Sequence, residues 1–305
     1  MLTSSFSGPF GPVPFWKLIL YPIGLLVLFL AIFVALQTGL ASLLALTGWP
    51  TWSEGALYHL MTFLPSVVDA VVAVWVLSGL IGRRPWKDTP FGFTRWAQDT
   101  AIGFAAGMLL LSAVALVLWL TGHYTISGLT DLGTTTVAAF LLTNLVFFLG
   151  VSVVEESLFR AGMFDIIEQW WGSAAALVVS AILFGLVHLG NEQATVIGAV
   201  AIILEAGILL GAVYMLTRRL WMVIGIHWSW NFFQGPVYGS VISGSSDTQT
   251  GLLDVTMQGS QWMTGGVFGF EASVVAIVLA TGSGVWVLVR AIRNGKWKSL
   301  PERVT

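Results

Sequence analysis

Two adjacent glutamates and an arginine, Glu155, Glu156 and Arg160 in EESLFR, follow a stretch (132–154) that contains no Asp, Glu, Lys, Arg or His. Glu156 and Arg160 are four residues apart with the acid first, the favourable helical order for an ion pair, so they are expected to neutralise each other. Glu155 points about 100° away around a helix and is left without that partner, free to take a proton from water. Two imidazoles and an amide complete the set. His188 ends LFGLVH, one helical turn beyond Phe184, and His227 and Asn231 in HWSWN share a helix face at i and i+4. In a hydrolytic reading Glu155 takes the proton, His188 holds or polarises the water, and His227 and Asn231 donate to the oxyanion of a tetrahedral intermediate. Each such donor is worth about 100- to 1,000-fold in rate. Glu155, His188 and His227 are also a zinc-type ligand set; a divalent metal such as zinc is compatible with these residues but not required by them. No H-E-x-x-H is present. Ser157 and Ser180 have no base at helical spacing, which disfavours a serine nucleophile. The absence of cysteine excludes a thiol nucleophile and thiolate metal ligands.

Plainer readings compete with each of these. The three charges could simply end a span at the water boundary, His188 could be interfacial, and His227 with Asn231 could be interhelical glue. Ionisable residues inside a span cost roughly 2.5–3.5 kcal/mol on insertion scales and usually face the bundle interior or a wet cavity. Asp69, Asn144 and Glu205 belong to the same class of polar residues within apolar segments, and Glu205 reads as structural.

The elements that position these groups are membrane spans. Hydrophobic residues make up 56% of the 305 and charged residues 9%, with a mean hydropathy of +0.87, whereas soluble domains carry about 25% charge. The expected fold is all-α, a polytopic integral membrane bundle of about eight transmembrane helices forming a single domain over 1–305. The spans fall near 18–46, 56–82, 98–121, 135–164, 173–190, 194–217, 220–238 and 268–290. Lys17 precedes a run too long for a signal-peptide core, so that run reads as a retained first span. Lys17, Arg83, Arg84, Lys87, Arg95, Arg218, Arg219, Arg290, Arg293, Lys296, Lys298 and Arg303 all fall on one side. The segments 47–55, 122–134, 191–193 and 239–267 carry no Lys or Arg, which places both termini in the cytoplasm. The Gly/Ser/Thr-rich stretch 239–267 is expected to cap the outer face. Gly103 with Gly107, and Gly207 with Gly211, suit close helix contact. No internal repeat supports an inverted-repeat transporter, and no basic stretch suggests nucleic acid.

Register brings the candidates together. Spans four and five should form an antiparallel hairpin turning between Trp171 and Gly172, midway between Glu155 and His188. Both residues then lie about 24 Å from the turn at about 1.5 Å per residue. His227, seven residues into its span, should be shallower on the cytoplasmic side unless that hairpin projects beyond the bilayer, which the polar Asp165, Glu168 and Gln169 permit.

The ordered triple EESLFR, FGLVH and HWSWN resembles the CPBP family, the CaaX prenyl endopeptidases and the bacteriocin-processing and abortive-infection proteins. The flanking HLGNEQAT, RRLWMVIGIHWSWNFFQG and TGGVFGFEAS look like bacterial members, so the motif-bearing core spans about 135–290. The resemblance implies an intramembrane endopeptidase in the bacterial cell membrane. Its catalytic residues would be Glu155, His188, His227 and Asn231, with Glu156 and Arg160 supporting. The family is often called metalloprotease, although a glutamate mechanism without metal has also been argued for it. The substrate would be a peptide or a membrane-anchored protein, cut near the cytoplasmic leaflet. Two other classes remain: a non-catalytic bacteriocin-immunity or regulatory membrane protein keeping the fold, and a proton-coupled transporter using the same carboxylates.

Overall fold

The computed structural model describes residues 15–46, 56–245 and 250–299; the connection at 47–55 and Arg303 lie outside them. Helices α1 (Phe15–Leu46), α2 (Ala56–Trp75) and α3 (Trp96–Leu120) come first, α2 being prolonged by a wide π turn, Val76–Ile81. Strand β1 (Tyr124–Leu129) precedes α4 (Val137–Glu156), which runs through a π turn, Ser157–Phe164, into α5 (Asp165–Val187). Helices α6 (Val196–Ile202) and α7 (Ile208–Thr217) form one rod across a third π turn, Ile203–Gly207. Helix α8 (Leu220–Phe232) ends in a fourth, Phe233–Val237. Strand β2 (Leu253–Met257), the short α9 (Gln261–Thr264) and α10 (Val274–Arg293) complete the described chain.

Six stretches among the described residues are long and apolar enough to cross a membrane. One of them, Val137–Gly190, breaks at Gly172, whose φ of +80° suits a residue without Cβ, so it makes two antiparallel passes. The turn falls where the Glu155/His188 midpoint puts it. Helix α8 with its π turn is not among those six stretches but packs inside the bundle, with ten of its residues buried, and the protein is an all-α polytopic membrane bundle. The outer surface is apolar: Val27 and Val34 on α1, Leu109 and Leu116 on α3 and Val278 on α10 are exposed, a surface that lipid would cover.

The expected close glycine contacts are present. A Cβ on Gly103 would run into the Met222 carbonyl, and one on Gly107 into the Ile226 carbonyl and the Ser229 hydroxyl, so α3 lies directly on α8. On the other side, Cβ atoms at Gly207 and Gly211 would come within 2.6 Å of Ala181 and Leu177, seating the α6–α7 rod on α5.

The basic connections gather at one end of the bundle. Arg84 bonds Asp165 at 3.1 Å, Arg219 pairs with Asp99 at 2.7 Å, and the buried Glu168 accepts from Arg218, from Lys298 at 2.7 Å and from Ser173 at 2.6 Å. For Arg218, which links α7 to α8, burial would lower its pKa, but Glu168 outweighs that and holds it above the ordinary arginine value.

The opposite end differs from expectation in two places. Residues 239–267 are not simply an irregular cap: β2 pairs antiparallel with β1, from Tyr124 opposite Met257 to Leu129 opposite Leu253, with a bulge between Ile126 and Gly128. The last span starts at Val274 rather than 268, because 266–268 and 270–272 are tight 3-10 turns around Gly269.

Candidate active site

The π turn after α4 carries Arg160 into the bundle interior, where it is 1% exposed and Glu156 is 0% exposed. These two charges therefore do not mark a water boundary. Arg160 Nη1 donates to Glu156 Oε1 at 3.1 Å, and Nη2 donates to the Ala206 carbonyl at 3.2 Å. Its guanidinium lies over the Phe184 ring, 4.3 Å from the centroid, a favourable cation–π arrangement in a desolvated site.

Glu156 has a second task that helical spacing does not reveal. The same Oε1 accepts the Nδ1–H of His227 at 2.7 Å, so the first motif orients the third. His227 Nε2 then faces Glu155, 3.8 Å from its Oε2. That carboxylate oxygen is buried and has no hydrogen-bond partner.

His188 is anchored differently. Its Nδ1 lies 2.7 Å from the Phe184 carbonyl; a carbonyl only accepts, so Nδ1 carries the proton and Nε2 of the neutral ring is left as a lone pair. Phe184 is the hub that sequence reading passed over: its ring packs edge-on against His188 (4.9 Å between centroids), His227 (6.0 Å) and Phe159 (5.0 Å). The F-x-x-x-H spacing was the signal for it.

His188, His227 and Asn231 line one cavity of about 30 Å³, room for a water. Glu155 is not part of its wall and stands beyond His227. Glu205, read from sequence as structural, lines the cavity, and its Oε2 has no partner. Glu271 and Ser243 line it too and were missed; Glu271 sits in the FGFEAS stretch. Burial pushes the Glu271 carboxyl above the ordinary carboxylate range, against two bonds from Ser243 and the neighbouring His188 that pull it down. Asp69 is buried in α2 with Oδ2 unbonded and does not line the cavity. Ser157 and Ser180 give their hydroxyls to the Val153 and Leu177 carbonyls.

The bond from His227 to Glu156 puts the motif residues at one level. Glu155 and His188 are about 24 Å from the hairpin turn and His227 about 10 Å from the start of α8 at 1.5 Å per residue. The end of the hairpin meets the start of α8, where Glu168 accepts from Arg218, two residues before Leu220.

Residues 136–233 match the family described as type II CAAX prenyl endopeptidase, Rce1-like. This core is similar to the CAAX-type intramembrane proteases, in line with the CPBP resemblance, and the matched segment contains all the motif residues but neither Ser243 nor Glu271. Comparison with curated proteins gives no match. The metal set that a metalloprotease of this family would use does not assemble. Among the described residues no three His, Asp or Glu side chains are arranged to hold a metal ion.

Proposed function

We propose that this protein is a CPBP-type intramembrane endopeptidase whose water is activated by Glu155 and His188 and whose oxyanion is held by His227 and Asn231. The observation that carries the proposal is the opposite anchoring of two histidines at one water-sized cavity. His188, bonded to a carbonyl, offers a lone pair at Nε2. His227, bonded to a carboxylate and facing a second, suits a proton at Nε2: a lone pair there would face another anion, whereas an imidazolium makes Glu155, Glu156, Arg160 and His227 sum to zero charge. His227 is then a donor and His188 an acceptor.

In this scheme water rests against His188 Nε2 and gives its proton to Glu155 as its oxygen attacks the scissile carbonyl. His227 Nε2–H and the Asn231 amide hold the resulting oxyanion, while Glu156 and Arg160 keep His227 in place. The substrate is a peptide or a membrane-anchored protein segment. The setting is the bacterial cell membrane, with both termini and the basic end of the bundle in the cytoplasm.

The test is cleavage of a quenched peptide library by the purified chain in nanodiscs, comparing wild type, Glu155→Gln and His188→Ala, each with and without a chelator. Cleavage lost in both variants and indifferent to the chelator supports the scheme. Equal cleavage in all three proteins refutes the site. Loss with the chelator reassigns the chemistry to a metal. No cleavage by wild type favours a non-catalytic immunity or regulatory role.

A further inference from the structure

The cavity has a second wall that this scheme leaves idle. Glu205, in the wide turn between α6 and α7, and Glu271, in the tight turn before α10, both line it, 1% and 3% exposed. Glu271 Oε2 accepts the backbone N–H of Ser243 at 2.6 Å and its hydroxyl at 2.9 Å. Ser243 is held in the left-handed region, φ +49°, and its carbonyl accepts from Asn191 Nδ2 at 2.6 Å. A non-glycine residue there is strained, and the strain is compensated by fixing the carboxylate of Glu271. Glu271 lies within electrostatic reach of both His188 and Glu205. Glu205 Oε2 is buried without a hydrogen-bond partner.

No Lys or Arg lines the cavity, and Arg160 is already committed to Glu156 and the Ala206 carbonyl. In the scheme above the charge of His227 is already matched within the Glu155, Glu156 and Arg160 set, and two further carboxylates in one small space repel strongly. A single proton held by the pair removes the repulsion. The hydrolytic scheme needs such a proton, because an amine leaves a tetrahedral intermediate only as it is protonated.

We propose that Glu271 and Glu205 hold one proton between them and that Glu271 delivers it to the leaving amine, an inference that rests on the protease reading above. Water's oxygen bonds to the scissile carbon as Glu155 takes one proton. The carbon–nitrogen bond then breaks with its electron pair going to nitrogen, and nitrogen takes the proton of Glu271. The products are a carboxylic acid and an amine. The proton on Glu155 returns to the pair through His188 Nε2, His188 lining the same cavity as Glu271, and the cycle closes with one water consumed.

The experiment uses the full chain in nanodiscs with two substrates: a quenched peptide that the wild type cleaves, and the depsipeptide in which oxygen replaces the scissile N–H. An alkoxide leaves with far less help from a proton than an amide nitrogen does. Glu271→Gln keeps an acceptor for Ser243 but has no proton to give. Its kcat on the peptide should fall about 100-fold or more, the range of general acid catalysis, with KM little changed and with less than about a tenfold fall on the depsipeptide. Glu205→Gln should show the same split with a smaller loss. Hydrolysis of the depsipeptide also reports that each variant is folded. Equal losses on both substrates, or no loss on either, overturn the assignment. A wild type that cleaves no member of the quenched peptide library overturns the protease reading itself.

Discussion

Replacing Glu156 with leucine removes the one oxygen that Arg160 and His227 both use, at 3.1 and 2.7 Å. Arg160, 1% exposed, would keep only the Ala206 carbonyl and the face of Phe184. Breaking a buried ion pair from one side costs about 3–5 kcal/mol because it strands the other charge, so Glu156→Leu should lose about that much stability. The double variant Glu156→Leu/Arg160→Leu leaves no stranded guanidinium and should recover most of that loss, since exchanging both members of a buried pair for apolar residues is often neutral; only the Nδ1–H of His227 stays unpaired. Activity should not recover, because His227 Nδ1 still lacks its acceptor and the ring is free to turn away from the cavity. Unfolding in detergent, followed by tryptophan fluorescence, gives the first quantity, and peptide cleavage at a temperature where the double variant is folded gives the second. A double variant as unstable as the single would refute the stranded-charge argument. A stable double variant that cleaves like wild type would refute the orienting role of Glu156.

Three further outcomes are expected. Gly225→Ala should destabilise the protein by about 1–3 kcal/mol, the usual cost of overpacking, and reduce cleavage, because a Cβ there meets the Thr100 carbonyl and comes within 2.8 Å of the Phe104 nitrogen, two residues from His227; thermal unfolding and peptide turnover check both. Glu168→Ala removes the acceptor of Arg218, Lys298 and Ser173. It should cost about 1.5–3 kcal/mol, the worth of a hydrogen bond to a charged group, and open residues 296–299 to limited proteolysis. The chain has no cysteine, so single cysteines report sidedness directly: on intact cells a membrane-impermeant maleimide should label Gln258→Cys and spare Lys296→Cys, and the reverse pattern would invert the orientation.

Much of this arrangement could be read from the sequence because it depends on periodicity and one turn. The spans, the hairpin turn at Gly172, the Glu156–Arg160 pair and the shared face of His227 and Asn231 all follow from 1.5 Å and 100° per residue. What was hidden depends on contacts between elements distant in the chain. Nothing in EESLFR says that Glu156 reaches 71 positions along the chain to His227. The strands were missed for a different reason: they are only six and five residues long within connections, and although LDVTM alternates apolar and polar residues, its partner YTISGL lies about 130 positions upstream and shows no such pattern. Glu205 was undervalued because one acid on a helix has no local partner to betray its role. The four π turns leave no compositional trace either, yet three of them border Glu156, contain Glu205 or follow Asn231, in keeping with the placement of such turns at functional sites.

The irregular segments around the cavity follow from where α5 stops. A helix continuing past His188 would carry the chain away from the site and leave the cavity walled by helices alone, with no backbone N–H to offer a carboxylate. Instead the chain turns at 188–190 and meets 240–245 and 268–272 as non-helical backbone. Such backbone is tolerated at membrane depth only where protein buries it or where it lines a wet cavity. Here its polar groups are paired with one another: Gln193 N–H donates to the Gly244 carbonyl at 2.8 Å, Gly244 N–H to Phe268 at 3.0 Å, and Gln234 Nε2 to Val241 at 2.7 Å. That pairing lets Ser243 present two donors to Glu271 beside His188. The glycines and polar residues that made 239–267 read as a surface cap therefore serve, in part, to fold the second wall of the cavity.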